Sequence, residues 1–361
     1  MLEPLVANVC SSGPDGSCGR LPRPEQEKRP FPAGVPGQPE AVKVLTWHVH
    51  GSYLWYLSHV PVTWVLPVRA GDAEGYGGRS PSFPWPDNVV EVPAGEVAGL
   101  DDLDLVLTQH RHNWDVDRHE LLGPRVRDLP RVHLEHDPPA GWPNDALHPV
   151  QDPDALLVHV TPFNELMWDN GSTSTRVVEH GVVVPDVPWT GELDAAVTVV
   201  NNLYRRGRRL GPDVFDLVAA QVPVDLAGMN GEAYPRWLGD VRLGDLHRRM
   251  TAYRCLFNPI RYTSLGLAVC EAMALGLPVV GLATTEMSTA VRNGLNGYVE
   301  TDLAKLTGHL RRLLHDRDEA AELSRGARAV AAERFGIERF VRDWCAVLAE
   351  ASGLPVPGPP S

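Results

Sequence analysis

Short apolar runs separated by polar segments and by Gly or Pro recur along the chain. In the first half each run is continuous rather than alternating, and the runs cover residues 42–49, 104–109, 131–136 and 155–161. Strands that are covered by helices on both faces have this pattern. The first run meets Gly51 and then an apolar-aromatic segment. The pattern therefore predicts a strand, a turn and a helix, followed by further strands of a parallel sheet.

A second series of apolar runs follows, separated by segments of helical length. These runs cover residues 195–200, 223–228, 253–259, 278–283 and 296–300. They predict a second doubly wound α/β domain. Three amphipathic stretches with apolar residues at helical spacing close the chain, among them 303–314 and 338–349. Because ligands of open α/β sheets bind at the carboxyl ends of the strands, two such domains predict a cleft between facing strand ends.

Composition sets the expected domain boundaries. The two ends of the chain are rich in Pro and Gly and lack hydrophobic periodicity, which is typical of disorder. The Pro- and Gly-containing stretch near residue 190 suits a linker. We predict a disordered tail over residues 1–40 and a Rossmann-like domain over residues 41–188. A second Rossmann-like domain follows over residues 189–335. A helix over residues 336–352 can cross back to the first domain, and residues 353–361 form a second disordered tail.

Charge and hydropathy narrow the class of protein. The net charge of −13 opposes nucleic-acid binding, which needs a broad basic face. The apolar stretches are too short to cross a bilayer, and the N-terminus lacks the basic and apolar segments of an export signal. The five cysteines are widely spread and indicate neither a disulfide framework nor a zinc site. We therefore expect a soluble cytoplasmic protein with no nucleic-acid partner.

The segment 258–286 carries the most specific local signals. Ser264 is a favourable N-cap for a helix that runs through Glu271. Gly276 suits the end of that helix, and Pro278 cannot extend it. The segment therefore predicts a turn, a helix and a buried strand.

The start of this helix predicts a phosphate site. Unpaired N–H groups and the positive end of the helix dipole favour a diphosphate, and here they belong to Ser264, Leu265, Gly266 and Leu267. Glu271 lies about two turns further along, and because helical side chains lean toward the N-terminus its carboxylate would reach a ribose hydroxyl. An ordinary αβ unit with a Ser cap and an inward-facing Glu is the alternative.

The same segment resembles the donor-binding region of the retaining family-4 glycosyltransferases, which have the GT-B fold. The matching residues are Glu271, Ala272, Met273, Ala274, Gly276, Pro278, Val279 and Val280. Residues 179–185 resemble the linker segment of that family, and the likeness in organisation covers roughly residues 41–350.

The resemblance implies two Rossmann-like domains that face each other across a cleft. The acceptor would bind the first domain, and a UDP- or GDP-sugar would bind the second. Transfer would proceed with retention and with neither metal nor other cofactor. The acceptor, which could be a small molecule, a lipid-linked molecule or a polysaccharide, stays open, as do a peripheral membrane contact and the oligomeric state.

One position departs from the family pattern. The family has an acidic residue that contacts the transferred sugar where this chain has Thr263. Threonine can donate and accept a hydrogen bond but carries no charge. Two hypotheses follow: a donor pocket adapted to another sugar, with Thr263 among the catalytic residues, or a catalytically weak or inactive module that binds a glycan or a protein partner.

Arginines cluster in the loop 204–211, directly after a predicted strand. Guanidinium groups pair bidentately with phosphate oxygens, so this loop suits a diphosphate. The resembled family has an Arg and a Lys here, but the register is open, and Arg205, Arg206 and Arg209 are all candidates. We assign Arg206 to catalysis and the other two to donor binding. A solvated charged loop is the alternative.

Two first-domain residues complete the predicted site. His136 ends a strand and resembles the family histidine that contacts the donor sugar, so we assign it to catalysis, whereas the alternative of a packed core histidine suits His133 better. Gly51 lies between strand and helix, where the family has glycine beside the diphosphate, although a plain tight turn explains it equally well.

Several other polar residues are candidate ligands. The pairs formed by His48 with His50 and by His110 with His112 lack a third partner at a known spacing, so we predict no metal. Glu286 follows a predicted strand, and it either touches the donor or favourably charges a helix start.

Overall fold

The computed structural model describes residues 41–71, 74–141 and 145–358. The predicted tail over residues 1–40 and the last three residues of the chain lie outside the described residues. Within the described residues the chain forms two sheets, and every strand pairs with its neighbours in parallel.

The first sheet has seven strands in the order β3-β2-β1-β4-β5-β6-β7. The strands are β1 Lys43–Thr46, β2 Thr63–Val68, β3 Val89–Pro93, β4 Leu105–Thr108, β5 Arg131–Glu135, β6 Ala155–His159 and β7 Ser174–Val177. The apolar runs predicted four of them, β1, β4, β5 and β6. They did not single out β2, β3 or β7, because a proline interrupts β2, a glutamate interrupts β3, and β7 has the mostly polar sequence Ser-Thr-Arg-Val.

Short helices connect these strands. They are α1 Gly51–Leu57, α2 Arg118–Leu122 and α3 Pro162–Met167, with 3-10 turns at Ala94–Gly99 and Gly123–Arg127 and a π-helical turn at Asn113–Asp117. Five consecutive residues of α1, Tyr53 to Leu57, are buried. A helix that is buried all round cannot face solvent, so α1 lies inside the molecule.

The second sheet has five strands in the order β12-β11-β10-β8-β9. The strands are β8 Leu193–Val199, β9 Val224–Ala227, β10 Tyr253–Asn258, β11 Val279–Leu282 and β12 Gly297–Glu300. The helices are α4 Pro212–Ala219, α5 Leu243–Met250, α6 Leu267–Leu275, α7 Met287–Ala290, α8 Leu303–His315, α9 Arg317–Arg334 and α10 Ile337–Ser352, with a 3-10 turn at Gly207–Leu210. The predicted α/β fold with two doubly wound sheets is confirmed.

One apolar cluster spans both sheets. It joins Tyr53 of α1 to Leu265 and Met273 around α6, and to Phe340 and Trp344 of α10. The Trp344 indole N–H donates to the Tyr53 hydroxyl at 3.2 Å, so α10 lies against the first domain. The two domains therefore share a core.

The C-terminal segment differs from the prediction in its described part. Val356 packs against the shared core, and the Cys345 thiol donates to the Pro357 carbonyl at 3.4 Å. Residues 353–358 are thus held along α10 rather than forming a disordered tail, because one apolar side chain finds a partner there. Within the described residues no helix has the length and apolar character needed to cross a membrane.

Candidate functional site

The helix α6 begins two residues later than predicted. Its N-cap is Gly266, with φ −66° and ψ 136°, and no side chain caps it. Ser264 is buried and is not the cap, and its carbonyl accepts from the Thr285 hydroxyl at 3.3 Å. The Leu265 carbonyl accepts from His180 Nε2 at 2.7 Å. These contacts with other elements hold the backbone before α6 and delay the helix. Its end at Gly276, with φ 88°, agrees with the prediction.

The N–H groups that precede α6 are free of protein partners. None of those of Ser264, Leu265, Gly266 and Leu267 donates a hydrogen bond to another described residue. A Cβ placed on Gly266 would meet no atom within 4 Å, so the space beside this backbone is open. Unpaired N–H groups at a helix start form an anion-binding surface.

Glu271 lies at the junction of the two domains. It is 4% exposed, and its Oε1 accepts from the Tyr56 hydroxyl of α1 at 2.7 Å. Its Oε2 lies 3.4 Å from His247 Nε2 of α5. The carboxylate therefore faces the first domain, as a ribose contact requires, but a ribose would have to replace Tyr56. The ribose contact stays a prediction.

The predicted arginines have different surroundings. Arg205 and Arg206 are exposed, and their guanidinium groups make no hydrogen bond or ion pair with the described part of the chain. Arg209 forms an ion pair with Asp137 of the first domain, and its Nε donates to the Tyr262 carbonyl at 3.0 Å. Arg205 and Arg206 are therefore available to a ligand, whereas Arg209 joins the domains.

Thr263 lies beside this contact between the two domains. It is half-buried, and its hydroxyl has no hydrogen-bond partner among the residues that the structure describes. The neighbouring Tyr262 hydroxyl donates to the Pro139 carbonyl at 3.0 Å. This bond brings the loop before α6 against the loop after β5, which carries His136.

His136 belongs to a group of aromatic side chains at the carboxyl edge of the first sheet. Its ring centroid lies 4.0 Å from that of His50 and 4.7 Å from that of Tyr53. Burial lowers the pKa of His136 well below its ordinary value, and His50, His180 and His133 lower it further. His136 is therefore a neutral imidazole at pH 7.

Gly51 is the first residue of α1, whereas the sequence predicted it in the turn before the helix. A Cβ there would lie 3.3 Å from the Phe83 ring and 3.5 Å from His48 Nε2. The Phe83 ring alone therefore restricts a larger residue at this position. The predicted contact of Gly51 with a donor stays a prediction.

Glu286 joins the domains. Its Oε1 pairs with Arg334 at 2.6 Å, and its Oε2 accepts from the Phe163 N–H of the first domain at 3.1 Å. The same arginine pairs with Glu179 of the interdomain segment at 2.5 Å. Both carboxylate oxygens of Glu286 thus have protein partners, which favours a structural role over donor contact.

Three side chains of metal-ligand type meet beside β5. The ligand atoms of His133, Glu135 and His148 all lie within 4.8 Å of one another. The Val150 N–H donates to His148 Nδ1 at 3.1 Å, so the proton of this imidazole is on Nε2 and donates to Glu135 at 3.1 Å. A histidine that binds a metal donates from its second nitrogen instead. Hydrogen bonds therefore explain this cluster, and the absence of a metal stays a prediction.

A cavity of about 760 Å³ lies between the interdomain segment and α9. It contains none of the predicted site residues, although Arg317, Arg325 and Arg328 line it. Arg317 donates to the Thr190 carbonyl and Arg328 to the Val187 carbonyl, at 3.0 and 2.8 Å. Two of the three guanidinium groups therefore hold the interdomain segment.

Sequence reasoning missed several residues at the domain junction. They are His50, Tyr56, Gln109, Asp137, His180 and His247. Two sequence signals could have found some of them: His50 directly precedes Gly51, and His180 lies in the segment that resembles the family linker. Tyr56 and His247 carry no such signal, because they lie within helices of ordinary pattern.

The comparisons with known proteins bear first on the second domain. Residues 216–316 match the family of the group 1 glycosyl transferases. This stretch contains α6, so the predicted likeness of this segment to glycosyltransferases is confirmed, and the retaining, family-4 assignment stays a prediction. A D-inositol 3-phosphate glycosyltransferase from Salinispora tropica is 39% identical over 90 residues, which are 24% of this chain and only 18% of that relative's length.

Solved structures extend the likeness to both domains. Sucrose-phosphate synthase from Thermosynechococcus elongatus has a TM-score of 0.60 at 15% identity, covering 86% of this chain and 98% of that chain. Anabaena Alr3699/HepE in complex with UDP has a TM-score of 0.62 at 15% identity, covering 86% of this chain and 100% of that chain. At this identity the likeness shows the fold alone, and the predicted GT-B fold is confirmed.

Proposed function

We propose that the chain is a glycosyltransferase that takes a sugar from a nucleotide-diphosphate sugar, UDP or GDP. The observation that carries this proposal is the set of unpartnered N–H groups of Ser264, Leu265, Gly266 and Leu267 at the start of α6. The family match of residues 216–316 supports it, as does the UDP bound to the Anabaena protein of the same fold.

The proposed chemistry is stabilisation of the leaving diphosphate. Negative charge grows on this group as the glycosidic bond breaks, and preorganised N–H groups stabilise such charge. Arg205 and Arg206, exposed and unpaired with described residues, add positive charge. We expect transfer with retention, with the acceptor attacking on the face from which the phosphate departs and giving its proton to that phosphate. These groups supply the charge that would otherwise come from a metal, so activity should survive EDTA.

Binding and hydrolysis with a panel of UDP- and GDP-sugars test the proposal. We expect nucleotide binding in calorimetry and slow donor hydrolysis. If the purified protein binds no nucleotide and hydrolyses no donor even at high concentration, the proposal is wrong.

A pair of variants tests the N–H groups themselves. Gly266 has φ −66°, which proline also adopts, so Gly266→Pro removes one N–H at a compatible backbone angle. Gly266→Ala keeps the N–H and is the matched control. We expect UDP to bind Gly266→Pro about 10-fold more weakly than Gly266→Ala, because a hydrogen bond to a charged group contributes about 1.5 kcal/mol or more.

A second candidate function is a catalytically weak or inactive module that binds a glycan or a protein partner. Two observations favour it: Thr263 carries no charge, and the Glu271 carboxylate already has Tyr56 as a partner. Thr263→Glu separates the two functions. A gain of transfer activity supports decay of an ancestral enzyme, whereas a loss supports a donor pocket adapted to threonine.

A further inference from the structure

The cavity between the segment 186–190 and α9 is separate from the proposed donor site. One wall is a single face of α9, whose lining residues recur at helical spacing and are Arg317, Ala321, Ser324, Arg325 and Arg328. Arg328 also donates to the Leu275 carbonyl at 2.9 Å, at the end of α6. The N–H groups proposed to bind the donor lie at the start of α6. The cavity therefore lies at the opposite end of that helix.

Three guanidinium groups without an acidic partner line this cavity. Arg317 and Arg328 donate to carbonyls of the segment 186–190, which carry no formal charge. Arg325 is exposed, and its guanidinium makes no hydrogen bond or ion pair with a described residue. Because a guanidinium has five N–H donors, most of the donors of these three groups are unused by the described part of the chain.

The lining of the cavity has an excess of positive charge. Asp186 is the one acidic residue among the lining residues, and it forms no ion pair with the part of the chain that the structure describes. Three arginines and one aspartate leave two positive charges uncompensated in a chain whose net charge is −13. Like charges repel each other, so a bound anion would stabilise this lining.

The face of α9 between the arginines offers space and a further polar group. Ala321 and Ser324 are small, so they leave room between Arg317 and Arg325. Ser324 is 5% exposed, and its hydroxyl makes no hydrogen bond with any described residue. Because a buried hydroxyl without a partner is costly, an oxygen atom of a ligand in the cavity would stabilise it.

The opposite wall is partly apolar. It includes Val187, Pro188 and Trp189, and the Trp189 indole N–H donates to the Tyr253 carbonyl at 2.9 Å. This hydrogen bond fixes the indole ring beside the cavity. The wall can therefore contact the uncharged part of a ligand whose anionic group pairs with the arginines.

We propose that this cavity is a binding site for a doubly charged phosphate group, either free or carried by a small organic molecule. Guanidinium groups pair bidentately with phosphate oxygens. A phosphate monoester carries nearly two negative charges at pH 7, which match the excess of two positive charges, whereas a carboxylate carries only one. The volume of about 760 Å³ is typical of small-molecule sites. None of these contacts depends on glycosyl transfer.

Calorimetry with inorganic phosphate, glucose 6-phosphate and neutral glucose tests the proposal. Arg325→Gln removes one positive charge without breaking a contact between described residues, and Arg325→Lys keeps the charge but removes the bidentate fork. Arg342→Gln in α10 is the matched control. It removes the same charge from an exposed arginine that has no partner among the described residues and lies outside the cavity.

We expect glucose 6-phosphate to bind and glucose not to bind. Arg325→Gln should weaken the binding of glucose 6-phosphate about 10-fold, the effect of lost hydrogen bonds to a charged group, and Arg325→Lys should lie in between. Arg342→Gln should bind this probe as the natural protein does. Tighter binding of glucose 6-phosphate than of inorganic phosphate identifies an ester as the ligand, and equal binding identifies free phosphate.

Gly266→Pro distinguishes this cavity from the donor site, because it alters only the start of α6. It should bind glucose 6-phosphate normally. Weaker binding in Gly266→Pro, with Arg325→Gln unaffected, would place the phosphate at the donor site and overturn the proposal. The proposal is also overturned if the natural protein binds neither phosphate probe, if glucose binds as tightly as glucose 6-phosphate, or if Arg342→Gln weakens binding as much as Arg325→Gln.

The two proposals of site and function can fail separately. If the protein binds no nucleotide but binds glucose 6-phosphate in a way that depends on Arg325, the proposed function is wrong and the cavity site stands. If it binds UDP and neither phosphate probe, the cavity site is wrong and the proposed function stands.

Discussion

The hydroxyl of Tyr56 in α1 donates a 2.7 Å hydrogen bond to Oε1 of Glu271 in α6, across 215 positions of sequence and between the two domains. Burial, together with the neighbouring Glu271, raises the pKa of Tyr56 well above its ordinary value, so the phenol stays a donor. The carboxylate that the family pattern assigns to a ribose is thus a structural acceptor in this state. The proposed ribose contact and the domain junction therefore use the same carboxylate.

Removing the Tyr56 hydroxyl separates these two roles. We expect Tyr56→Phe to lower the free energy of unfolding by about 1–3 kcal/mol, because one oxygen of a buried carboxylate loses its donor. UDP should bind more tightly, since a ribose hydroxyl no longer competes with the phenol. Urea unfolding and calorimetry measure the two effects.

Tyr53→Phe is the matched control. Tyr53 lies in the same helix and accepts from Trp344 rather than contacting Glu271. It should lose some stability without any gain in UDP affinity. Weaker UDP binding in Tyr56→Phe would show that the phenol helps to form the nucleotide site rather than blocking it.

The Arg209–Asp137 ion pair makes a second competition testable. We expect Asp137→Asn to release Arg209 and to tighten UDP binding a few-fold, because a guanidinium prefers phosphate when its carboxylate partner is gone. Arg209→Ala should weaken UDP binding about 10-fold, the effect of one charge-assisted hydrogen bond. Calorimetry at low and high salt checks both.

Arg208→Ala is the control for this pair, because Arg208 lies in the same loop but pairs with Asp213 at 2.9 Å within the second domain. It should bind UDP normally. If Arg209→Ala binds UDP as tightly as the natural protein does, Arg209 joins the domains and does not contact UDP.

Glu286 should matter for stability and not for donor binding. It is 2% exposed and pairs with Arg334, which keeps Glu179 as a second partner. We expect Glu286→Gln to lower the free energy of unfolding by about 1–3 kcal/mol, because Arg334 loses one charged hydrogen bond and keeps only Glu179 as an ionic partner. Glu322→Gln, on the exposed face of α9, should cost almost nothing. Normal stability with lost donor affinity in Glu286→Gln would contradict the structural role.

Buried histidines predict acid sensitivity. Burial lowers the pKa of six histidines among the described residues, to about 4 for His50, His159 and His180, well below the ordinary value for His133 and His136, and below the ordinary value for His48. In the unfolded chain each has a pKa of about 6.5, so below this pH the unfolded state binds more protons. Stability is therefore fully present above pH 6.5 and falls as the pH drops toward 4.

The slope of this loss is measurable. Each histidine contributes at most about 1.4 kcal/mol per pH unit inside that window, so six give at most about 8 kcal/mol per pH unit. Urea unfolding at a series of pH values should show it. His159→Gln keeps a donor for Asn170, which accepts from His159 at 3.0 Å, and should reduce the slope by about one proton. Constant stability between pH 7 and pH 5 would contradict the buried neutral state of these side chains.

The local pattern of the sequence determined the α/β class, nine of the twelve described strands and the end of α6 at Gly276. Continuous apolar runs, glycine stops and proline breaks are properties of neighbouring residues, so they can be identified without the fold. The candidate phosphate site was predictable for the same reason, since one strand, turn and helix contain it.

Only the tertiary structure decided which predicted groups have protein partners. The start of α6 moved to Leu267 because His180 and Thr285 hold the preceding backbone. Tyr56 reached Glu271, Asp137 reached Arg209, and Gln109 came within 3.4 Å of His136. Each of these contacts joins residues far apart in the chain, and a hydrogen bond between distant residues depends on how two sheets and their helices pack, which no local pattern of side chains contains.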